Sequence, residues 1–259
     1  MSTVEKMLGV LGLFTPETPI RESDELITHL GGSASAAYRH IKTLQSAGFL
    51  ARVGSGSYML GPRVLELDRT IRMSDPVYIA GSPVIRALSA STGLSAVLSM
   101  LYSDSVVCVR RVLAPGGPES LFSRGQKRPL VAGASAKAIL AYLPAHQLRR
   151  IFARHGAAIA AAGLGSDWDA FKLSLRQIRK AGFAMTVAEY NVDIASIAAP
   201  IFNARHDVLG SLMLAISLER DDLTAFAKLA PLVVAAAAET SAGIAGMEGG
   251  AALAARAVG

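Results

Sequence analysis

The stretch from residue 23 to residue 60 leaves a chain few choices. SDELITHL (23–30) places Leu26, Ile27 and Leu30 on one side of a short helix, with Asp24 and Glu25 in its first turn. Gly31-Gly32 then breaks the helix. In SASAAYRHIKTLQSAG (33–48), Ala37, Ile41 and Leu44 recur at i, i+4 and i+7, the apolar stripe of a second helix that must pack on a core. Ser33 or Ser35 is its expected N-cap and Gly48 its expected C′ residue. Phe49–Val53 and Ser57–Leu60 flank Gly54-Ser55-Gly56, which predicts a hairpin. Helix, glycine turn, helix and hairpin in this order are the parts of a winged helix-turn-helix.

The chemistry of the second helix's other side gives that architecture a purpose. It offers Ser35, Ala36, Tyr38, Arg39 and Lys42. From Gly31 to Leu65 there is no Asp or Glu, while Arg39, Lys42, Arg52 and Arg63 all fall inside. Uncompensated positive charge on small-residue backbone is the footprint of a DNA-recognition helix, so double-stranded DNA is the expected partner. Ser35, Ala36, Tyr38 and Arg39 are expected at base edges in the major groove, with Ala36 suited to a thymine methyl; Lys42 and Arg52 are expected on phosphates. A basic helix face alone is more often a solvated surface, and it is the flanking turn and hairpin that favour DNA.

The whole chain sets wider limits. It has 259 residues and a net charge of +6, enough for one small and one medium domain and suited to a polyanionic partner. Its single cysteine, Cys108, excludes an intrachain disulfide framework and any multi-cysteine metal site, so a reducing, cytoplasmic location is expected. Mean hydropathy is +0.39, which brings membranes into question. The longest apolar runs, such as 208–218 and 232–238, fall short of the roughly 18 residues of a spanning helix, so no membrane partner is expected.

Four segments follow in order: a winged helix-turn-helix at 1–60, a linker helix at 61–75, a larger domain at 76–248 and a loose tail at 249–259. The first begins with a helix over 4–14, ended by Pro16 and Pro19. Val64, Leu67 and Ile71, flanked by Leu65, give the linker helix an apolar strip suited to a partner chain. The larger domain reads as helix 77–92, strands 94–102 and 105–113, a strand-like piece at 119–127 and a helix at 138–142 opened by the small residues 131–137. Helix 144–155, a loop or short helix at 156–165, helix 167–181, strands 183–187, 195–202 and 208–218, and helix 223–246 complete it. The fold class is α+β with a central antiparallel sheet, one face of which is expected to be covered by helices.

Catalytic patterns fail on inspection. Gly133-Ala134-Ser135-Ala136-Lys137 starts like a nucleophile elbow but ends in lysine rather than glycine. His29, His40, His146, His155 and His206 form no i, i+4 pair with a carboxylate at ligand spacing. No cofactor and no catalytic residue is expected. The rival reading, an enzyme or redox protein with an accessory interaction module, would rest on Cys108, which lies in the apolar run Val106-Val107-Cys108-Val109 and reads as a packing residue.

The chain resembles the IclR family of bacterial transcription regulators along nearly its whole length. The matching residues are Ser35, Arg39, Thr43-Leu44, Ala47-Gly48, Tyr58 and Leu60-Gly61-Pro62-Arg63, then Pro129-Leu130 and Lys137-Ala138. Arg179 to Phe183, Glu189-Tyr190 and Ala198-Ala199-Pro200-Ile201-Phe202 complete the match. The resemblance implies a winged helix-turn-helix, a linker helix and a GAF-like effector domain, in dimers or tetramers on palindromic operators, here expected to repress. It also implies a small organic or aromatic acid as effector, held where a strand-to-helix loop meets the last strands. Carried over by position, that site comprises Ala134, Ser135, Thr186 and Ser196. Family members often have Asp at the position of Thr186 and Cys at that of Ser196, and Arg128 replaces a common leucine. Losing an acid and gaining a guanidinium suits a carboxylate ligand; Arg128 either joins that site or faces solvent. The rival enzyme would use the same GAF-like domain.

Overall fold

The computed structural model describes residues 2–257, and side chains through 249. The backbone divides into two compact units, Met1–Ser74 and Asp75–Gly259.

The first unit holds α1 (Thr3–Leu11), β1 (Arg21–Glu22), α2 (Ser23–Leu30), α3 (Ala34–Ser46), β2 (Leu50–Val53), β3 (Ser57–Leu60) and α4 (Arg63–Ser74). Ser33 caps α3 by accepting from the Ala36 amide at 3.3 Å. Ala37, Ile41 and Leu44 lie buried beneath it with Val10, Leu26, Leu30, Leu50 and Tyr58. Gly48 takes φ +77, and a Cβ on Gly61 would stand 2.1 Å from the Gly48 carbonyl oxygen, so the hairpin crosses the end of α3 in backbone contact. β1 was not foreseen: two residues carry no alternation to read, and their place is given by pairing of Arg21 with Tyr58 and Glu22 with Ser57. α1 ends three residues earlier than expected, at Leu11.

The second unit holds α5 (Pro76–Thr92), β4 (Ser95–Tyr102), β5 (Ser105–Val112), β6 (Lys127–Pro129), α6 (Ala134–Leu140), α7 (Ala145–Ala161), α8 (Trp168–Ala181), β7 (Ala184–Val187), β8 (Ile194–Phe202), β9 (Val208–Ser217), α9 (Leu223–Ala227) and α10 (Ala230–Ala257). Six strands form one sheet in the order β6-β5-β4-β9-β8-β7, each pair antiparallel. Helices cover both of its faces. Leu212, Leu214 and Ile216 of β9 enter a core with Ile85, Leu88 and Val233 of α5 and α10. Met213 and Ala215 between them enter a second core with Leu140, Ile151 and Phe171 of α6, α7 and α8.

Several expectations are corrected. Residues 119–127 are irregular except at their end. Their backbone bonds tie them to one residue of β5, with Gly125 N–H donating to the Cys108 carbonyl and Cys108 N–H to that of Gln126. α6 starts at Ala134 rather than 138, because its alanines fit flat against β8 and β9. α7 continues to Ala161 through a kink at His155 (φ −125°, ψ 21°). The closing helix splits at Lys228–Leu229, with Pro231 in the first turn of the new helix, where no intrahelical N–H is needed. The tail expected to be loose from 249 continues α10 to Ala257; 258 and 259 lie outside the described residues. Within Leu223–Gly249 one stretch, of mean hydropathy 1.4, is long and apolar enough to cross a membrane by length and composition, which corrects the expectation that no such stretch exists. In this structure Val233, Ala236, Ala237 and Ile244 are among its buried residues, and the helix packs on the sheet and on α5.

At Gly210 a Cβ would meet the Ser99 carbonyl oxygen at 2.1 Å, inside the β4–β9 ladder. Gly210→Ala is expected to lower unfolding stability by roughly 3 kcal/mol, because backbone must part. Gly246→Ala, on α10 where a Cβ meets nothing within 4 Å, is expected to raise it by about 0.5–1 kcal/mol. Urea titration of both variants checks the pair.

Candidate functional site

Two places gather the residues that the sequence singles out. The first is the outer face of α3. Ser35, Tyr38, Arg39 and Lys42 are exposed and Ala36 half-buried, while the stripe beneath them is closed to solvent. Arg52 stands exposed on β2. Among the described residues none of Arg39, Lys42 and Arg52 joins an ion pair, whereas Arg63 is held by Glu66 at 2.7 Å. Three cations are thus left without intramolecular partners around one small-residue helix.

The second is a hollow in the Asp75–Gly259 unit, under the start of α6. It is lined by Arg128, Ala134, Ser135, Thr186 and Ser196, together with Val106, Leu121, Phe122, Glu189, Tyr190, Asn191, Ile194 and Met213 among others. Ala134, Ser135, Thr186 and Ser196, expected at an effector site, and Arg128, whose place was open, therefore line one hollow. Its volume, mouth included, is about 480 Å³.

Arg128 decides the electrostatics here. It rises from β6 at one edge of the sheet, yet its guanidinium lies 4.1 Å from the ring centre of Tyr190, which follows β7 at the other edge. The sheet curls enough to bring its two ends around the hollow. Phe122 covers the guanidinium from another side at 4.6 Å, and one terminal nitrogen donates to the Asn191 side-chain oxygen at 3.4 Å. Its Nε is buried with no hydrogen-bond partner, and no carboxylate among the described residues pairs with it. Burial pulls its pKa below the ordinary arginine value, opposed by the neighbouring Tyr190 and Cys108. Of the two orientations open for Arg128, the structure has the one facing the hollow.

The other charges of this region are matched. Glu189 accepts from Lys137 Nζ at 2.5 Å and from the Gly133 amide at 3.1 Å, and Lys137 also donates to the Ala162 carbonyl. Ser135 donates to the Met213 sulfur at 3.4 Å. Thr186 and Ser196 face each other across β7 and β8, and neither hydroxyl has a partner among the described residues. Phe122, Tyr190, Asn191, Glu189 and Met213 were not selected from sequence. Glu189-Tyr190 stood inside a matching block and could have been; Phe122 and Asn191 lie in irregular segments with no periodic signal.

Cys108 is buried in the core beside this hollow. Burial pushes its thiol from 9.0 up to about 12, chiefly by desolvation, which removes the thiolate that a nucleophile would need.

The chain is similar in sequence and in fold to known proteins. A family model described as the C-terminal domain of the bacterial transcriptional regulator IclR matches residues 73–242. The HTH-type transcriptional regulator KipR of Bacillus subtilis is 27% identical over 216 residues, 82% of this chain and 85% of the relative. The glycerol operon regulatory protein of Streptomyces coelicolor is 29% identical over 213 residues, 82% of each. Among solved structures, an IclR transcriptional regulator from Alicyclobacillus acidocaldarius superposes with a TM-score of 0.78 at 25% identity, covering 93% of this chain and 98% of its own. An IclR homologue from Microbacterium hydrocarbonoxydans, solved with 4-hydroxybenzoate, gives a TM-score of 0.77 at 19% identity, with coverage of 94% and 99%.

Two outcomes test the electrostatics. Lys137→Met leaves the Glu189 carboxylate largely buried and unpaired, and is expected to cost about 3 kcal/mol. Adding Glu189→Gln, which removes the orphaned charge but keeps an acceptor for the Gly133 amide, should recover most of that loss in thermal unfolding. For Cys108 the folded pKa lies above the unfolded one, so its contribution is complete below pH 9.0 and is lost as pH rises toward about 12. The decline in urea stability over that window should be shallower in Cys108→Ala.

Proposed function

The chain belongs to the IclR family of bacterial transcriptional regulators, and on that premise we propose that it represses by binding a palindromic operator as a homo-oligomer and responds to a small organic acid. A transcription regulator of this family is not an enzyme. The buried, protonated thiol removes the residue on which the rival redox reading rested.

The observation that carries the DNA reading is the unpaired basic face of α3. Ser35, Ala36, Tyr38 and Arg39 approach base edges, and Lys42 and Arg52 contact phosphates. Segment 1–60 acts as the DNA-binding head, 61–75 as the linker and 76–248 as the effector domain. α4 buries none of its residues and exposes Leu65, Leu67, Ile71 and Met73, which supports a second copy of the chain as its cover, in a dimer or a tetramer. Two heads on one face of a duplex would read half-sites about 34 Å apart. The regulator acts in the cytoplasm, where its operator is.

The acid reading rests on Arg128, a half-buried cation without an acid, above a wall of hydroxyls from Ser135, Thr186 and Ser196 with Ala134 at the helix start. The 4-hydroxybenzoate of the Microbacterium homologue is a ligand of the same chemistry. Binding would act by favouring one arrangement of the two heads over another, bounded by the ligand's differential affinity for the two states.

Fluorescence anisotropy on DNA from upstream of the chain's own gene, against a scrambled duplex and across salt, is the direct test. Sequence-preferring, salt-sensitive binding is expected; equal weak binding to both duplexes would count against it. Arg39→Ala should cost roughly 1–3 kcal/mol and relax preference at one base pair, while Lys42→Ala should weaken all sequences alike and lower the salt slope by about 1.

A further inference from the structure

On the reading that the hollow holds an organic acid, we infer that it selects a single negative charge, so its ligand is a small monocarboxylate and dicarboxylates are rejected. The wall carries two formal charges, Arg128 and Glu189. Glu189 is already answered by Lys137 and by the Gly133 amide. That leaves Arg128 as the one uncompensated charge among the described lining residues, with its buried Nε still free to donate. A carboxylate meeting the guanidinium would satisfy that orphan donor and neutralise the hollow.

A second carboxylate has nowhere to go. The rest of the wall offers neutral groups, the hydroxyls of Ser135, Thr186 and Ser196 and the amide of Asn191, and apolar Val106, Leu121, Ile194 and Met213. An extra anion would lose its water without a cation in return, and it would stand near the Glu189 carboxylate. Phe122 and Tyr190 border the carboxylate end, and the neutral hydroxyls suit a hydrogen-bonding substituent on the ligand.

The test is calorimetric titration of the full chain with two matched pairs, benzoate against terephthalate and butyrate against succinate, with benzamide as neutral control. At least one monocarboxylate should bind about tenfold or more tightly than its dicarboxylate, and benzoate more tightly than benzamide. Arg128→Met should remove the preference for benzoate over benzamide, with Arg128→Gln as the second variant if the first fails to fold. Glu189→Gln, which leaves Lys137 without its acid, should narrow the gap between mono- and dicarboxylates. A dicarboxylate that binds the wild type as well as or better than its partner overturns the single-charge inference and leaves acid sensing standing. Absence of binding by every probe, with operator binding intact, overturns acid sensing itself and this inference with it.

Discussion

The ladder of β4, β9 and β8 is buried on both faces, and the rest of the larger unit is arranged to keep it so. Every residue of β8 from Ile194 to Ile201 is buried, and β9 is nearly as closed. A strand closed on both sides cannot alternate apolar with polar, so helices must lie above and below it. α5 and α10 take one face and α6, α7 and α8 the other. The close passage at Gly210 shows how little slack this layering leaves. Where β8 outruns the short β7, its edge is blunted: Pro200 has no N–H to offer, and the Phe202 amide donates to Ser241 of α10.

The curl of that sheet creates the hollow. β6 and β7 are the outermost strands, yet Arg128 of one lies against Tyr190 beyond the other. A guanidinium tolerates this place because it is planar and weakly hydrated, and it stacks on rings that would hold an ammonium less well. Lys137 and Glu189, close by, are arranged the other way, as a matched pair with further hydrogen bonds. One charge is therefore structural and satisfied, and the other is available.

In the smaller unit the same economy serves a different surface. Ala37, Ile41 and Leu44 hold α3 from below, and the backbone crossing of Gly61 over Gly48 ties the hairpin to its end. The outer residues are freed from any structural duty. Arg39, Lys42 and Arg52 make no ion pair among the described residues, which leaves their charge for a polyanion.

What the sequence by itself determined was whatever depends on local spacing. The 3.6-residue period of α2 and α3 and the turn glycines are properties of neighbours a few residues apart, so these elements were legible with their boundaries nearly right. The absence of acids from 31 to 65 was equally plain. Ala134, Ser135, Thr186 and Ser196 came from resemblance and position, Arg128 from a departure from the family pattern, and all five line one hollow. Only the tertiary structure decided the rest: the two-residue β1, the irregular course of 119–127, the order of six strands, and the rings around Arg128. Each of these follows from contacts between residues far apart in the chain, such as Arg128 with Asn191 or Gly133 with Glu189, and nothing in a local pattern encodes which distant partner a side chain will meet.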